Sequence, residues 1–530
     1  MRCLQRSYWQ SLRHDQRGFL MPAVISIIVA ASIIGVSVLT VVLNNFFVVG
    51  NNVKSQQAFN IAEAGINYYL WHLSHNSTDY KDGLSTPATQ DPTLGYGPYI
   101  HNYIDDNAKT TGTYTLWIKP QGNGSTIVNI RSIGKVNGTN INRTVQAQIG
   151  AASFASYSLV ADTALWFGST EGAQGPVHTN IGVRMDGSSD SDVTSANATY
   201  VPPGSLGGDG SSHAGVWCSA SVVTPVNCTT RSKTDWRFPV TSVDFNQVSS
   251  SLCTMKKVAF SSDSSTSSLA GQSNACSQVP TGRTSAYLPQ RATTFNIARG
   301  YLVQLNPNNT YDLYNVNGET DTATPYTSAL TTTSVATGIA VPANGVIFAE
   351  DNVWVRTNPT FHGRVTVAAG RLATSNNANI VIADDMLYST KNGQDAIGLV
   401  AEDTILIAPY APPASGAFNF EIDAATLAQA GSVTYPKVYR TDDDRCTRGW
   451  TNANQKFVYY GSVATRLTWT WTWQRGSSCG DNAQSGSNWI SGILNNTTQY
   501  DYNLLYAPPP SYPITGGYNI LSWREVLTHP

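Results

Sequence analysis

Charge is the scarcest property of this 530-residue chain: Asp, Glu, Lys and Arg make up 12% of it, and the formal net charge is −2. No cluster of Lys and Arg marks a nucleic-acid footprint, which needs phosphate-neutralising charge gathered on one face. The eight His are dispersed, so no nucleophile, base and orienting acid are brought together by the sequence. The chain also lacks C-x-x-C, close Cys/His groups and the spacing of an EF-hand loop, and no cofactor or metal is expected. Polar positions are filled instead by Ser, Thr, Asn and Gly, beside 26 Tyr and 13 Trp. That composition suits a β-rich protein outside the cytoplasm, and the length is enough for several domains.

The longest charge-free interval runs from Gly18 to Val53, between Arg17 and Lys54. Its apolar core, from Phe19 to Leu43 and including Leu20, Pro22 and Val24, exceeds the roughly 20 residues a membrane-spanning helix needs. Arg2, Arg6, Arg13 and Arg17 against Asp15 predict a single-pass protein with a cytoplasmic N-terminus and the following chain outside. A cleaved secretory signal would have a shorter apolar core ending at a small-residue site, and this run has neither.

Gly18-Phe19, after basic residues and opening a long apolar helix, resembles the leader and mature start of type IV prepilins. The resemblance implies that a prepilin peptidase cuts after Gly18 and N-methylates Phe19. Pro22 then falls in the first turn, where backbone N–H groups have no helical acceptor in any case. The family's major subunits carry a glutamate at the position of Ala23, so the resemblance points to a minor subunit. A second block, Gln57-Ala58-Phe59-Asn60-Ile61-Ala62-Glu63-Ala64-Gly65, is similar to the Gln-Ala-Phe-x-x-Ala-Glu-Ala-Gly stretch of PilX-like minor pilins. The likeness covers about the first 150 residues and implies other pilins and the membrane assembly machinery as partners. Glu63 is either a helix-surface charge or a contact to a neighbouring subunit.

Along the chain, Phe59, Ala62, Ile66, Tyr69 or Leu70, and Leu73 recur at three- and four-residue steps, so the helix is expected to continue to about residue 75 with one apolar stripe. A loop over 75–111 precedes three alternating segments, Tyr114 to Lys119, Thr126 to Ile133 and Ile141 to Ile149. With Asn123-Gly124 and Asn137-Gly138 as turns, they predict a β-meander over 76–150. From Ser158, motifs such as Leu159-Val160-Ala161-Asp162, Ile347-Phe348-Ala349-Glu350, Val381-Ile382-Ala383-Asp384 and Leu399-Val400-Ala401-Glu402 recur at uneven distances. They suggest β-solenoid rungs over 151–410, with a Greek-key sandwich as the alternative. Residues 186–292 read as a Ser/Thr/Gly-rich surface excursion, and 411–530 as an α+β region with a helix over Ile422–Ala430. The fold class is thus mainly β with one long N-terminal α-helix: leader 1–18, helix 19–75, meander, then a large β-rich head.

Cys3 falls in the leader. The six outer cysteines are expected to pair as neighbours, Cys218 with Cys228, Cys253 with Cys276 and Cys446 with Cys479, against a reading as free thiols. His178 and His362 occupy like places in the repeat and read as turn residues. Asp351, Asp385 and Asp403 read as corner residues, with an edge of catalytic carboxylates as the sharper reading. Asp442-Asp443-Asp444 and Asp186, Asp190, Asp192 read as loop acids, with calcium as the alternative. Trp469, Trp471 and Trp473 alternate on a strand and would share one face, either as core or as a platform for a glycan or another extracellular surface. The leading expectation is a non-enzymatic minor pilin of a type IV pilus or secretion filament, whose head serves priming, adhesion or surface contact. A signal-anchored adhesin and an anchored polysaccharide-active enzyme are the rivals.

Overall fold

Helix α1 spans Leu20–His75 without a break. At 1.5 Å per residue it is about 84 Å long, and the only proline within it, Pro22, stands in its first turn. The structure, a computed structural model, describes residues 20–75, 79–84, 89–120, 127–169, 171–219, 235–261, 275–291, 296–319, 330–412, 417–436, 454–475 and 489–526.

The two halves of α1 differ in what covers them. Ala58, Ile61, Ala62, Gly65, Ile66, Tyr69 and Leu73 are buried, the steps of three and four that keep residues on one face. They lie on an antiparallel sheet whose strand order is Gln90–Asp91, Gly95–Ile104, Thr110–Pro120, Ile127–Val136, Asn142–Ser153 and Ile514–Val526. The sheet contributes Leu116, Ile118, Val128, Ile130, Val145, Ala147 and Ile149 to the shared core. Helix and sheet meet at backbone distance: a Cβ on Gly134 would stand 2.1 Å from the carbonyl oxygen of Ala58 and 2.4 Å from the nitrogen of Ala62.

Two features of this sheet depart from the sequence reading. The expected loop over 75–111 contains the strand Gly95–Ile104. Gly97, at φ +141°, has its α-carbon facing the Leu116 carbonyl, where a Cβ would come within 2.6 Å; a residue that reads as a breaker here permits close strand approach. The second departure is the last strand. Ile514–Val526 pairs along Asn142–Ser153, with Trp523 opposite Ala147 and Val526 opposite Thr144. Residues 154–513 are therefore an insertion between neighbouring strands of one sheet, and the end of the chain belongs to the first unit.

The insertion is built on parallel sheets that run as open paths. One passes through Tyr287–Leu288, Val346–Ala349, Arg364–Ala369, Ala396–Ala401, Phe418–Ala428, Gln455–Thr465, Leu159–Ala161, Val177–Thr179, Val193–Ser195 and Trp236–Arg237. A second passes through Gly300–Asn306, Asn352–Thr357, Ile380–Ile382, Ile405–Ile407, Val433–Thr434 and Trp469–Thr470, with an antiparallel ribbon of Thr310–Glu319 and Leu330–Ala340 at one edge. Parallel pairing of this kind replaces the Greek-key sandwich, whose sheets are antiparallel. Polar corners repeat between strands. Asn352 Oδ1 accepts from the Asn379 amide at 3.0 Å, Asn379 Oδ1 from the Thr404 amide at 3.2 Å, and Thr404 Oγ1 from the Ser432 amide at 3.4 Å.

The helix expected over Ile422–Ala430 is instead part of the strand Phe418–Ala428, and this strand and Gln455–Thr465 lie in the same sheet as those before residue 410. Burial on both faces explains the error: Ala424, Ala425, Leu427 and Ala428 are all covered, so no alternation survives in the sequence. The stretch 186–292 is likewise more than a surface excursion. It supplies Val193–Ser195 and Trp236–Arg237 to the sheet and helix α2, Gln247–Ser261, whose Val248, Leu252, Met255 and Ala259 pack with Tyr287, Val346 and Phe348. Cys253 on α2 is bonded to Cys276. Cys218 is also disulfide-bonded, while Cys228, Cys446 and Cys479 lie outside the described residues.

The contact at Gly134 makes a direct test of the helix–sheet packing. Gly134→Val is expected to destabilise the detergent-solubilised chain by about 1–3 kcal/mol through overpacking, read as a lower thermal midpoint by circular dichroism. Gly50→Ala, with nothing within 4 Å of its Cβ position, should leave the midpoint unchanged or raise it.

Candidate functional site

The first half of α1 is a long apolar surface left uncovered. Leu20, Phe46 and Phe47 are each more than 70% exposed, and the Ile, Val and Leu residues between them are exposed as well. Leu20, Pro22, Val24 and Leu43 all lie in this stretch and are exposed; Gly18 and Phe19 lie outside the described residues. Its few hydroxyls are satisfied within the helix: Ser26, Ser32, Ser37 and Thr40 donate to the carbonyls of Pro22, Ile28, Ile33 and Val36 at 2.7–2.8 Å. A helix that satisfies its own polar groups this way is suited to a hydrocarbon medium, and α1 is long and apolar enough to cross a membrane.

Where the exposed half gives way to the buried half, the Gln57 to Gly65 block meets the head. Ala58, Ala62 and Gly65 are buried, Gln57 is exposed, and Phe59, Glu63 and Ala64 are half-buried. Small residues are needed on the inner face. A Cβ on Gly65 would come 2.3 Å from Ser132 Oγ and 3.0 Å from the Tyr114 ring. Phe59 turns its ring edge-on to Trp523, with centroids 5.7 Å apart, and Arg143 lies 5.8 Å from its centroid. The Arg143 guanidinium also donates from Nε to the Glu525 carboxylate and from Nη1 to Ser55 Oγ at 2.6 Å. The hydrogen bond from Arg143 holds the Glu525 carboxyl below its ordinary range. Both side chains are partly exposed, so the ion pair adds little stability; its effect is to fix the register of helix, inner strand and final strand at one point.

Arg143 was not singled out by the sequence, and Trp523 and Glu525 were given no chemical role by it. Glu525 stands 382 positions from Arg143, and no short-range pattern connects them. The available signal was the run of Tyr518, Ile520, Leu521 and Trp523, which suits a strand without naming its partner.

The remaining candidates separate into local structural roles. Trp471 is buried, with its Nε1 donating to Thr498 Oγ1 at 3.1 Å and its ring stacked on Tyr459 at 5.1 Å. Trp469 is half-buried and packs against the same core, and the half-buried Trp473 donates to the Tyr435 carbonyl at 2.8 Å. The strand is interrupted at Trp471, between Trp469–Thr470 and Thr472–Arg475, so the three rings form no shared exposed platform. His178 is buried, 2.9 Å from Thr194 Oγ1 and 3.2 Å from Asn180 Oδ1, and burial pushes its pKa below the ordinary value. His362 is exposed and pairs with Asp395 at 2.8 Å. Five strand spacings separate the strands that carry or follow these histidines, roughly 24 Å.

Asp351 accepts from the amides of Arg291 and Asn352, both at 3.0 Å. Asp403 Oδ1 accepts from Thr404 Oγ1 at 3.3 Å, and Asp385 Oδ1 accepts from the Glu421 amide at 2.8 Å. Asp186 accepts from Trp166, Arg184 and the Ser219 amide, while Asp190 accepts from the Gly175 amide and Asp192 pairs with Arg237. Among the described residues no group of three or more His, Cys, Asp or Glu is arranged to hold a metal ion; Asp442, Asp443 and Asp444 lie outside them.

No family model matches the chain, and no curated protein is similar to it. Among solved structures, the crystal structure of the competence-associated pilin ComZ from Thermus thermophilus is similar at 14% identity, covering 90% of this chain and 98% of that one, with a TM-score of 0.27. Superposition at that level does not define the fold.

Two measurements follow from these contacts. Trp523→Ala removes the ring that meets Phe59, and hydrogen exchange of the amides in 514–526 is expected to accelerate about tenfold or more as the edge strand opens locally, while the exchange of Ile127–Val136 stays slow. Burial pushes the Asp385 carboxyl from 3.8 up to about 6, against the opposing hydrogen bond from the Glu421 amide. Its neutral form is thus favoured by folding: the stabilisation is full below 3.8 and is lost as pH rises through about 6. Asp385→Asn, neutral throughout, should flatten the wild-type fall in thermal stability across that window, a difference of about 3 kcal/mol.

Proposed function

We propose that the chain is a non-enzymatic, PilX-like minor pilin of a type IV pilus or a related secretion filament. The observation that carries the reading is the division of α1: one unbroken helix, exposed and apolar over its first half, and built into a six-stranded head sheet over its second. In this reading the prepilin peptidase cleaves between Gly18 and Phe19 and methylates Phe19. The helix is held in the membrane with its N-terminus cytoplasmic until the assembly machinery extracts it, and neighbouring pilin helices then replace lipid on Leu20 to Val53. Ala23, in place of a glutamate, suits a subunit used in low copy. The stacked parallel strands of residues 154–513, with their Asn352, Asn379 and Thr404 corners, are read as rungs of a solenoid-like head displayed outside the cell for priming or surface contact. That exchange of lipid for protein neighbours asks nothing of the head except that it leave the apolar half of α1 uncovered.

Mass spectrometry of the protein recovered from piliated cells decides the matter. The expected N-terminus is N-methylated Phe19, and replacing Gly18 by a bulky residue should leave the full-length precursor in the membrane. A mature chain that still begins with the segment before Phe19 would replace this reading with that of a signal-anchored adhesin.

A further inference from the structure

The sheet that packs on α1 has a second face, and the alternation that sends Leu116, Ile118, Ile130, Ala147 and Ile149 inward sends Lys119, Asn129, Arg131, Gln146 and Gln148 outward. Strand pairing sets these side chains side by side. Asn129 is opposite Gln148, and Arg131 is opposite Gln146, which in turn is opposite Arg524 of the final strand. Together with Thr93 and Leu94 they line a groove of about 600 Å³, a volume in the range of small-ligand sites.

Its lining holds three cations, three side-chain amides and no carboxylate. Much of the donor capacity is uncommitted. Arg131 has a buried Nε with no hydrogen-bond partner, a costly arrangement for a guanidinium unless something else occupies the space beside it. Gln146 and Gln148 turn their carbonyl oxygens to Arg524 Nη2 at 2.9 Å and Ser522 Oγ at 3.2 Å, which leaves their N–H groups for another acceptor. Lys119 is anchored to the carbonyls of Pro92 and Thr93 at 3.1 Å, and Asp91, at the rim, is tied to the amides of Thr93 and Leu94.

We infer that this groove binds an acidic polysaccharide through its carboxylates and hydroxyls. A guanidinium matches a planar carboxylate through paired N–H donors, and flanking amides match the hydroxyls of adjacent sugar rings. The lining suits a nucleic acid less well, since it has too few cations to follow a phosphate backbone. The site lies on the face of the sheet opposite α1 and stands whether or not the chain enters a filament.

The test uses the full-length chain in detergent and labelled polygalacturonate oligosaccharides at low salt, with affinity read by fluorescence anisotropy. Wild-type protein should bind, more weakly as salt rises, and should not bind neutral dextran. Arg131→Gln and Asn129→Asp are each expected to weaken binding about tenfold or more, the loss of a charge-assisted hydrogen bond. Lys135→Gln, on the same face but outside the groove, should stay within about twofold. Unchanged affinity in both groove variants, equal binding of dextran, or displacement by an oligonucleotide at matched charge would each overturn the assignment. N-terminal processing is read on a separate sample, so the failure of one reading leaves the other standing.

Discussion

The pairing of Ile514–Val526 along Asn142–Ser153 is the constraint on which the rest of the molecule depends. Ile514 stands opposite Ser153, so the two ends of the insertion leave and return at one point on the sheet. A chain that must begin and end together cannot build a stack that starts at one end and finishes at the other. It has to grow outward from where both ends are anchored, and the strand order does this. Gln455–Thr465, late in the insertion, stands between Phe418–Ala428 and the early strand Leu159–Ala161.

The anchoring is reinforced by contacts that join the first and last parts of the insertion. The Phe154 amide donates to the Pro513 carbonyl at 3.0 Å, Ser462 Oγ to the Tyr157 carbonyl at 2.6 Å, and Tyr500 Oη to the Ala155 carbonyl at 2.9 Å. Each of these is buried or partly buried, where an unmade hydrogen bond costs more than a made one returns. Away from this junction the parallel strands are held by their own corner ladders and by a core that includes Trp354, Phe361 and Tyr459. One buried cation joins that framework: Lys256 of α2 pairs with Glu350 and donates to the Gln278 carbonyl at 2.5 Å. Burial raises the pKa of Glu350, and the Lys256 hydrogen bond opposes that rise. Loss of either partner would strand a charge in the interior.

What was legible in the sequence follows from how far apart the interacting residues are. The stripe on α1 could be read because its period is local, and the strands Thr110–Pro120, Ile127–Val136 and Asn142–Ser153 could be read because one face is buried and the other is not, so they alternate. The repeat after Ser158 was visible, but its distances were uneven, because spatial neighbours such as Ala464 and Val160 lie at opposite ends of the insertion. Phe418–Ala428 was mistaken for a helix because it is covered on both faces. Trp469, Trp471 and Trp473 could be read as an aromatic row, but the choice between core and platform needed the tertiary contacts that bury Trp471 and set Trp469 against it. The Arg143 to Glu525 contact joins two positions that no local pattern relates, and the groove beside Arg131 needs the same final strand to supply Arg524.

The direction of the strand carrying Arg143 explains how so large an insertion coexists with an uncovered helix. Arg143 reaches Ser55 and Phe59, at the point where α1 leaves its exposed half. Ser153 lies ten residues further along the same strand, about 33 Å at the usual rise of an extended chain. The insertion therefore departs from the end of the sheet far from Leu20 to Val53. Residues 154–513 can grow there without approaching the apolar surface. Had the chain broken out near Arg143 instead, the body would have stood beside the exposed helix and competed with whatever covers it. An insertion at the far end, closed by a final strand that runs back toward Ser55, leaves the first half of the helix uncovered and joins the inserted strands to the sheet where Ser153 meets Ile514.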